Sequence, residues 1–264
     1  MTVPGAGAWR RSGGSPRCSP HQRVTTEGVG ESGRVSVPPD GTAVVTRTRA
    51  PRVGPALAVV AACATVVALL GAGVRADFGA QLRVDAEVGE ALYAGDDRAR
   101  ALDWLLEALT APGLAVVRYA LAVPVLVWLV RRAAWRTAAW VVLAAGFVSP
   151  LTSLLKDAFG RVRPAFEDGG ARYDSLSYPS GHSSGIATLV AVGLLLAWPL
   201  LAARARRRWL AAGVLAVLVV GLTRLWLGVH FLSDVVGGWA LGLGWTLLTA
   251  VLLGALPGGR AALR

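Results

Sequence analysis

Polar and apolar residues in this chain are segregated into long blocks. Six apolar runs, at about 55–74, 112–130, 137–155, 184–203, 209–227 and 235–256, each approach the roughly 20 residues a helix needs to cross a hydrocarbon core. None alternates as a barrel strand does, and a backbone in lipid is satisfied only in helices or closed barrels. The pattern predicts an all-α polytopic membrane protein, with six transmembrane helices in a bundle. Between the first two runs, residues 75–111 carry Leu102, Leu105, Leu106 and Leu109 at helical spacing among acids. An amphipathic helix lying on the membrane surface and packing over the bundle is expected there. Pro124 predicts a kink in the second span, and Arg118, more than a turn inside it, is expected to snorkel outward.

Residues 1–50 are rich in Gly, Ser, Pro, Thr and Arg without an apolar period, and are expected to form a disordered tail. The first apolar run starts too late for a signal peptide. Residues 51–258 then make up the six-span domain, and 259–264 a short basic tail. Composition agrees: 54% of residues are hydrophobic and 16% charged, with the charges gathered between the apolar blocks. A net charge of +11 would suit a nucleic-acid partner, but the arginines are split into groups flanking the spans, which argues against one.

Those groups are Arg47, Arg49 and Arg52, then Arg131, Arg132 and Arg136, then Arg204 and Arg206 to Arg208, then Arg260 and Arg264. Six spans put them all on one face, which the positive-inside rule makes cytoplasmic together with both termini. The opposite face, outside the cytoplasm of a cell membrane, receives residues 75–111, the loop 156–183 and the turn 224–234. Trp128, Trp135, Trp140, Trp198 and Trp209 lie near the inner boundary, as an aromatic belt would. Cys18 in the tail and Cys63 in an apolar run make neither a disulfide framework nor a metal site.

The outer face gathers an unusual set of polar residues. Lys156, the single lysine among 27 basic residues, ends the third span, and Arg163 and Pro164 follow. Tyr178-Pro179-Ser180-Gly181-His182 precedes the fourth span. Thr223-Arg224 closes the fifth, and His230 and Asp234 open the sixth. A phosphate monoester needs cations and hydrogen-bond donors around its oxygens. Lys156, Arg163 and Arg224 supply the cations, and Ser180 and Gly181 lie where a helix N-terminus favours an anion. His230 and Asp234, four apart, are expected to share a helix face, so that the carboxylate fixes the imidazole tautomer of a nucleophile. His182, from another loop, is free to protonate a leaving alkoxide. Singly, these features have plainer explanations: a span end, a helix cap, a structural hydrogen bond. Their gathering on one face argues for a site.

In order and spacing, Lys156-x6-Arg163-Pro164, Pro179-Ser180-Gly181-His182 and Arg224-x5-His230-x3-Asp234 resemble the three-part signature of the type 2 phosphatidic acid phosphatase superfamily. The resemblance spans about residues 55–256. It implies a phosphohistidine on His230, acid catalysis by His182, and phosphate binding by Lys156, Arg163, Ser180, Gly181 and Arg224. It implies no cofactor and no metal ion. Thr223 stands where the family usually has serine. The expected function is hydrolysis of a lipid phosphate or pyrophosphate: phosphatidic acid, phosphatidylglycerol phosphate or a prenyl pyrophosphate. The composition, heavy in Arg, Ala, Gly and Val, suggests a high-GC bacterium and mildly favours the prenyl carrier. A lipid phosphotransferase of the same superfamily and a non-catalytic lipid-binding or transport protein are the alternatives. A vanadium-type haloperoxidase shares the motif logic, but six spans speak against it. The sequence does not address oligomeric state.

Overall fold

The computed structural model describes residues 52–166, 169–170 and 173–261, with two short antiparallel strands, β1 (Arg34–Ser36) and β2 (Val44–Thr46), nearer the N-terminus. The expected tail, with Cys18 and His21, otherwise lies outside the described residues. So do 262–264 of the basic C-terminal segment.

Eight helices follow: α1 (Val53–Arg75), α2 (Gly79–Leu92), α3 (Arg100–Thr110), α4 (Ala115–Arg131), α5 (Trp135–Phe159), α6 (Gly181–Ala197), α7 (Ala203–Trp226) and α8 (Leu232–Leu253). A two-residue pairing of β3 (Ala165–Phe166) with β4 (Gly169–Gly170) is the other strand feature, so the class is all-α. Five helices, α1, α5, α6, α7 and α8, are long and apolar enough to cross a membrane. A sixth candidate is the pair of α3 and α4, joined through a 3₁₀ turn at Ala111–Gly113 with a 47° bend and counted together as one broken span. The bundle thus has five to six candidate spans where the sequence predicts six, and it is multi-pass. Gly160 (φ 68°) ends α5 and Gly254 (φ 72°) ends α8, each in the left-handed conformation that a Cβ would disfavour.

Helix α8 is the spine, packed chiefly on α6 and α1. Small residues allow this. A Cβ on Gly238 would come within 2.5 Å of Ser180 O, and one on Gly244 within 2.8 Å of Cys63 Cβ on α1. Without a hydrophobic drive between helices in lipid, such close backbone approach supplies the packing energy. It also brings the start of α6 against the start of α8, and so places His182 near His230. At the far end of the bundle, Leu129, Trp140, Val141, Ala144, Val192, Ala250 and Leu256 form an apolar cluster. Ala261 joins it, accepting a hydrogen bond from Thr137 Oγ1 at 2.5 Å.

Three local expectations change. Arg118 does not snorkel: it is 1% exposed, and its Nε and Nη2 donate to Ala145 O (2.9 Å) and Ser149 Oγ (2.5 Å) on α5. The charge is thus satisfied inside the bundle. Trp140 belongs to the core rather than the belt, donating from Nε1 to Thr246 O at 3.4 Å, whereas Trp135 and Trp209 are exposed. Segment 75–111 is two helices broken at Tyr93–Ala99, and of the four leucines Leu106 alone is buried. Helix α4 continues through Pro124.

Candidate active site

His230 and Asp234 do meet, but not on a helix face. His230 lies in the turn before α8, and Asp234 is the third residue of that helix. Its carboxylate reaches back over the helix start, where Oδ2 accepts from Phe231 N (2.8 Å) and from His230 Nδ1 (3.3 Å). Ser177 Oγ donates to the same oxygen and stands 3.3 Å from Nδ1. On the other side of the ring, Arg163 Nη1 approaches Nε2 at 3.2 Å. A guanidinium only donates, so Nε2 carries the lone pair and Nδ1 the hydrogen. Complete burial drives the His230 pKa down from 6.5 to about 3, against the opposing pull of Asp234. The ring is therefore neutral at ordinary pH, with its free nitrogen aimed at a cation.

The cations are arrayed by loop and helix ends. Arg163 is braced by Ser175 O (2.7 Å), Ser175 Oγ (2.9 Å) and Val229 O (2.7 Å), which ties the loop after α5 to the turn before α8. Burial lowers its pKa, Asp234 raises it, and as an arginine it stays charged. Lys156, in the last turn of α5, donates to Leu176 O. Arg224, in the last turn of α7, is buried and donates from Nη1 to Thr110 Oγ1 at 3.2 Å. Its Nε has no partner among the described residues. A buried guanidinium N–H without an acceptor is costly unless a ligand supplies one.

Ser180 caps α6: its Oγ accepts from Ser183 N at 3.4 Å, and its own N–H donates to Asp234 O at 2.9 Å. Gly181 and His182 are the first two residues of α6, where N–H groups have no acceptor within the helix. A Cβ on Gly181 would meet nothing nearer than Thr152 Cγ2 at 4.0 Å, so packing does not demand this glycine. The space left at the helix N-terminus is where an anion would be favoured. His182 sits half-buried within the electrostatic reach of Arg224, His230, Arg163 and Lys156. All eight residues singled out by sequence thus lie around the starts of α6 and α8. Thr223 is set apart, its hydroxyl bonded to Val220 O at 2.7 Å within α7.

Three participants were not singled out as site residues from sequence. Ser177 bridges His230 and Asp234. Arg161 donates from Nη1 to Asp234 Oδ1 (2.8 Å) and from Nη2 to Asp85 Oδ2 (2.6 Å). Asp85, on α2, also accepts from Ser233 N (2.8 Å) and Ser233 Oγ (2.6 Å). The spacing Arg161-x-Arg163 was the available signal for the arginine. Nothing local marks Asp85, which lies 149 residues before Asp234 and meets it only through the fold.

Three comparisons bear on this geometry. The phosphatidylglycerophosphatase B of Bacillus subtilis (strain 168) is 43% identical over 96 residues, 35% of this chain and 46% of that protein. The lipid A 1-phosphatase of Rhizobium etli is 35% identical over 117 residues, 40% of this chain and 46% of that one. The chain thus spans about half the length of the curated relatives it matches. The crystal structure of a transmembrane PAP2-type phosphatidylglycerolphosphate phosphatase from Bacillus subtilis aligns with a TM-score of 0.60 at 26% identity, covering 72% of this chain and 93% of that chain. Residues 118–256, which carry every one of the eight predicted site residues, match the sequence model of the PAP2 superfamily, and this chain belongs to that family.

Proposed function

We propose that this protein is a membrane lipid phosphatase that works through a phosphohistidine on His230. The observation that carries the reading is the His230 ring itself. Its Nδ1–H is held by Asp234, and its Nε2 lone pair faces Arg163 at 3.2 Å, the position a phosphoryl group gripped by that arginine would take. Lys156, Arg163, Arg224 and the N–H groups opening α6 at Gly181 surround the phosphate, and Ser180 fixes that turn. Nε2 attacks phosphorus, the bond to the lipid oxygen breaks, and His182 gives its proton to the departing alkoxide. Water then attacks phosphorus and yields a proton to His182, and the P–N bond breaks to free inorganic phosphate. Three fixed cations offset the charge of the transferred group.

Both curated relatives are named as lipid phosphatases, which supports a lipid substrate carrying a terminal phosphate. Phosphatidylglycerol phosphate heads the panel to be tried, followed by phosphatidic acid, a lipid A 1-phosphate and a prenyl pyrophosphate. The distribution of arginines supports a site outside the cytoplasm with both termini inside.

The test is phosphate release by detergent-purified protein across that panel, with chelator present and no added acceptor. Release that survives chelation and vanishes in His230→Ala supports the reading; full activity of His230→Ala overturns it. Dependence on an added acceptor alcohol favours a phosphotransferase instead. For orientation, Asp174→Cys in a background lacking Cys18 and Cys63 should react with an impermeant thiol reagent on intact cells. Protection there reverses the topology.

A further inference from the structure

The His230–Asp234 pair is the inner half of a longer buried chain. Arg161 is 7% exposed, and its one guanidinium is shared by two carboxylates, Asp234 (0% exposed) and Asp85 (2% exposed). Phe231 covers the guanidinium face at 4.0 Å. Ser233 completes the junction: its Oγ takes a hydrogen bond from Arg161 Nη1 at 2.6 Å and gives one to Asp85 Oδ2 at 2.6 Å. Two acids and one guanidinium, out of water, carry a net negative charge beside a neutral imidazole. Burying a second carboxylate is costly, and fixing the start of α8 needs only its hydrogen bond to Ser233 N. The excess charge has a use. When Nε2 bonds phosphorus while Nδ1 keeps its hydrogen, the ring becomes cationic, and a negative charge placed beforehand stabilises that state without reorganisation.

We propose that Asp85, acting through Arg161, is a positioning residue for the His230–Asp234 pair: by taking up part of the Arg161 charge, it leaves Asp234 a strong acceptor for the imidazole as phosphorus is transferred. Without it, Arg161 would be neutralised by Asp234 alone, and the hydrogen bond to Nδ1 would weaken. The stabilised charge arises only during transfer, so the effect belongs in kcat rather than in KM. This inference rests on the phosphohistidine reading above.

The experiment uses the full chain in detergent micelles, with dioctanoyl phosphatidic acid as substrate. Asp85→Asn keeps the shape and an acceptor for Ser233 N but removes the charge. Its kcat should fall about ten- to a hundredfold, the range seen for partners that orient another ligand, with KM held within about twofold. Asp85→Glu, which restores the charge, should recover most of the loss. Wild-type kcat in Asp85→Asn, or a loss matched by an equal loss of folded protein that Asp85→Glu does not repair, overturns the role of Asp85 and leaves the phosphatase reading standing. Absence of phosphate release by the wild-type protein from every lipid of the panel overturns both. Should Asp85→Asn fail to fold, Ser233→Ala takes its place: a smaller drop in kcat at unchanged KM supports the linkage, and unchanged kcat overturns it.

Discussion

The two ends of the bundle are built on opposite physical plans. At one end Leu129, Trp140, Val141, Ala144, Ala250 and Leu256 close into an apolar cluster, with the few polar groups spent on bonds such as Thr137 to Ala261 O. At the other, Asp85, Arg161, Asp234, Ser177 and His230 form a continuous buried polar chain. The first arrangement gains stability from dispersion and close packing. The second removes charges from water, which costs free energy, and returns it as a fixed electrostatic field. The difference teaches where to look for each property: substitutions at the apolar end should change stability alone, and those at the polar end should change turnover.

That contrast can be broken in several ways. The largest effect is expected from His230→Ala, which removes the attacking nitrogen and should abolish phosphate release while leaving the detergent elution profile of the wild type. Asp234→Asn should lower kcat by about 10²–10⁴-fold, as loss of the tautomer-fixing acid does in a Ser-His-Asp triad. It should also destabilise the fold, because Arg161 loses one of its two acids. At the other end, Trp140→Ala should cost about 3–5 kcal/mol of stability by cavity formation, read as a lower melting midpoint, with kcat per folded molecule unchanged. A fall in kcat there would blur the division of labour. Gly181→Ala should raise KM by about tenfold, the loss from crowding one phosphate oxygen, without lowering the melting midpoint, since the new methyl meets only Thr152 at 4.0 Å.

A further expected effect is on pH dependence. Because burial lowers the His230 pKa from 6.5 to about 3, its contribution to stability is complete above the ordinary value. Below it the unfolded chain takes up a proton that the folded chain refuses, so stability is lost as pH falls toward 3. Melting midpoints followed through that window should decline less steeply in His230→Gln than in the wild type. Parallel curves would show that His230 is not held neutral.

Much of this was legible one residue at a time. Runs of apolar residues mark spans because lipid enforces a local rule: each backbone group must bond within its own helix. The three motifs were legible because phosphate chemistry demands rare residue types, and Lys156, His182 and His230 stand out where arginine and leucine are common. What failed shares one cause. Arg118 and Trp140 were placed by distance from a span end, a one-dimensional measure, whereas their partners Ala145, Ser149 and Thr246 lie on other helices. The His230–Asp234 contact was foreseen, but through the wrong geometry, since a capping carboxylate and a helix face share the same spacing along the chain.

The sequence by itself determined that this chain crosses a membrane several times and which residues make up the three motifs proposed to act on phosphate, because hydropathy and side-chain chemistry are properties of individual positions. Only the tertiary structure decided which nitrogen of His230 is free, that Ser180 caps a helix, and that Asp85 and Arg161 stand behind Asp234. Those depend on donors and acceptors meeting across helices far apart in the chain. Glycines on α8 and the turn before it, rather than any motif, bring them together.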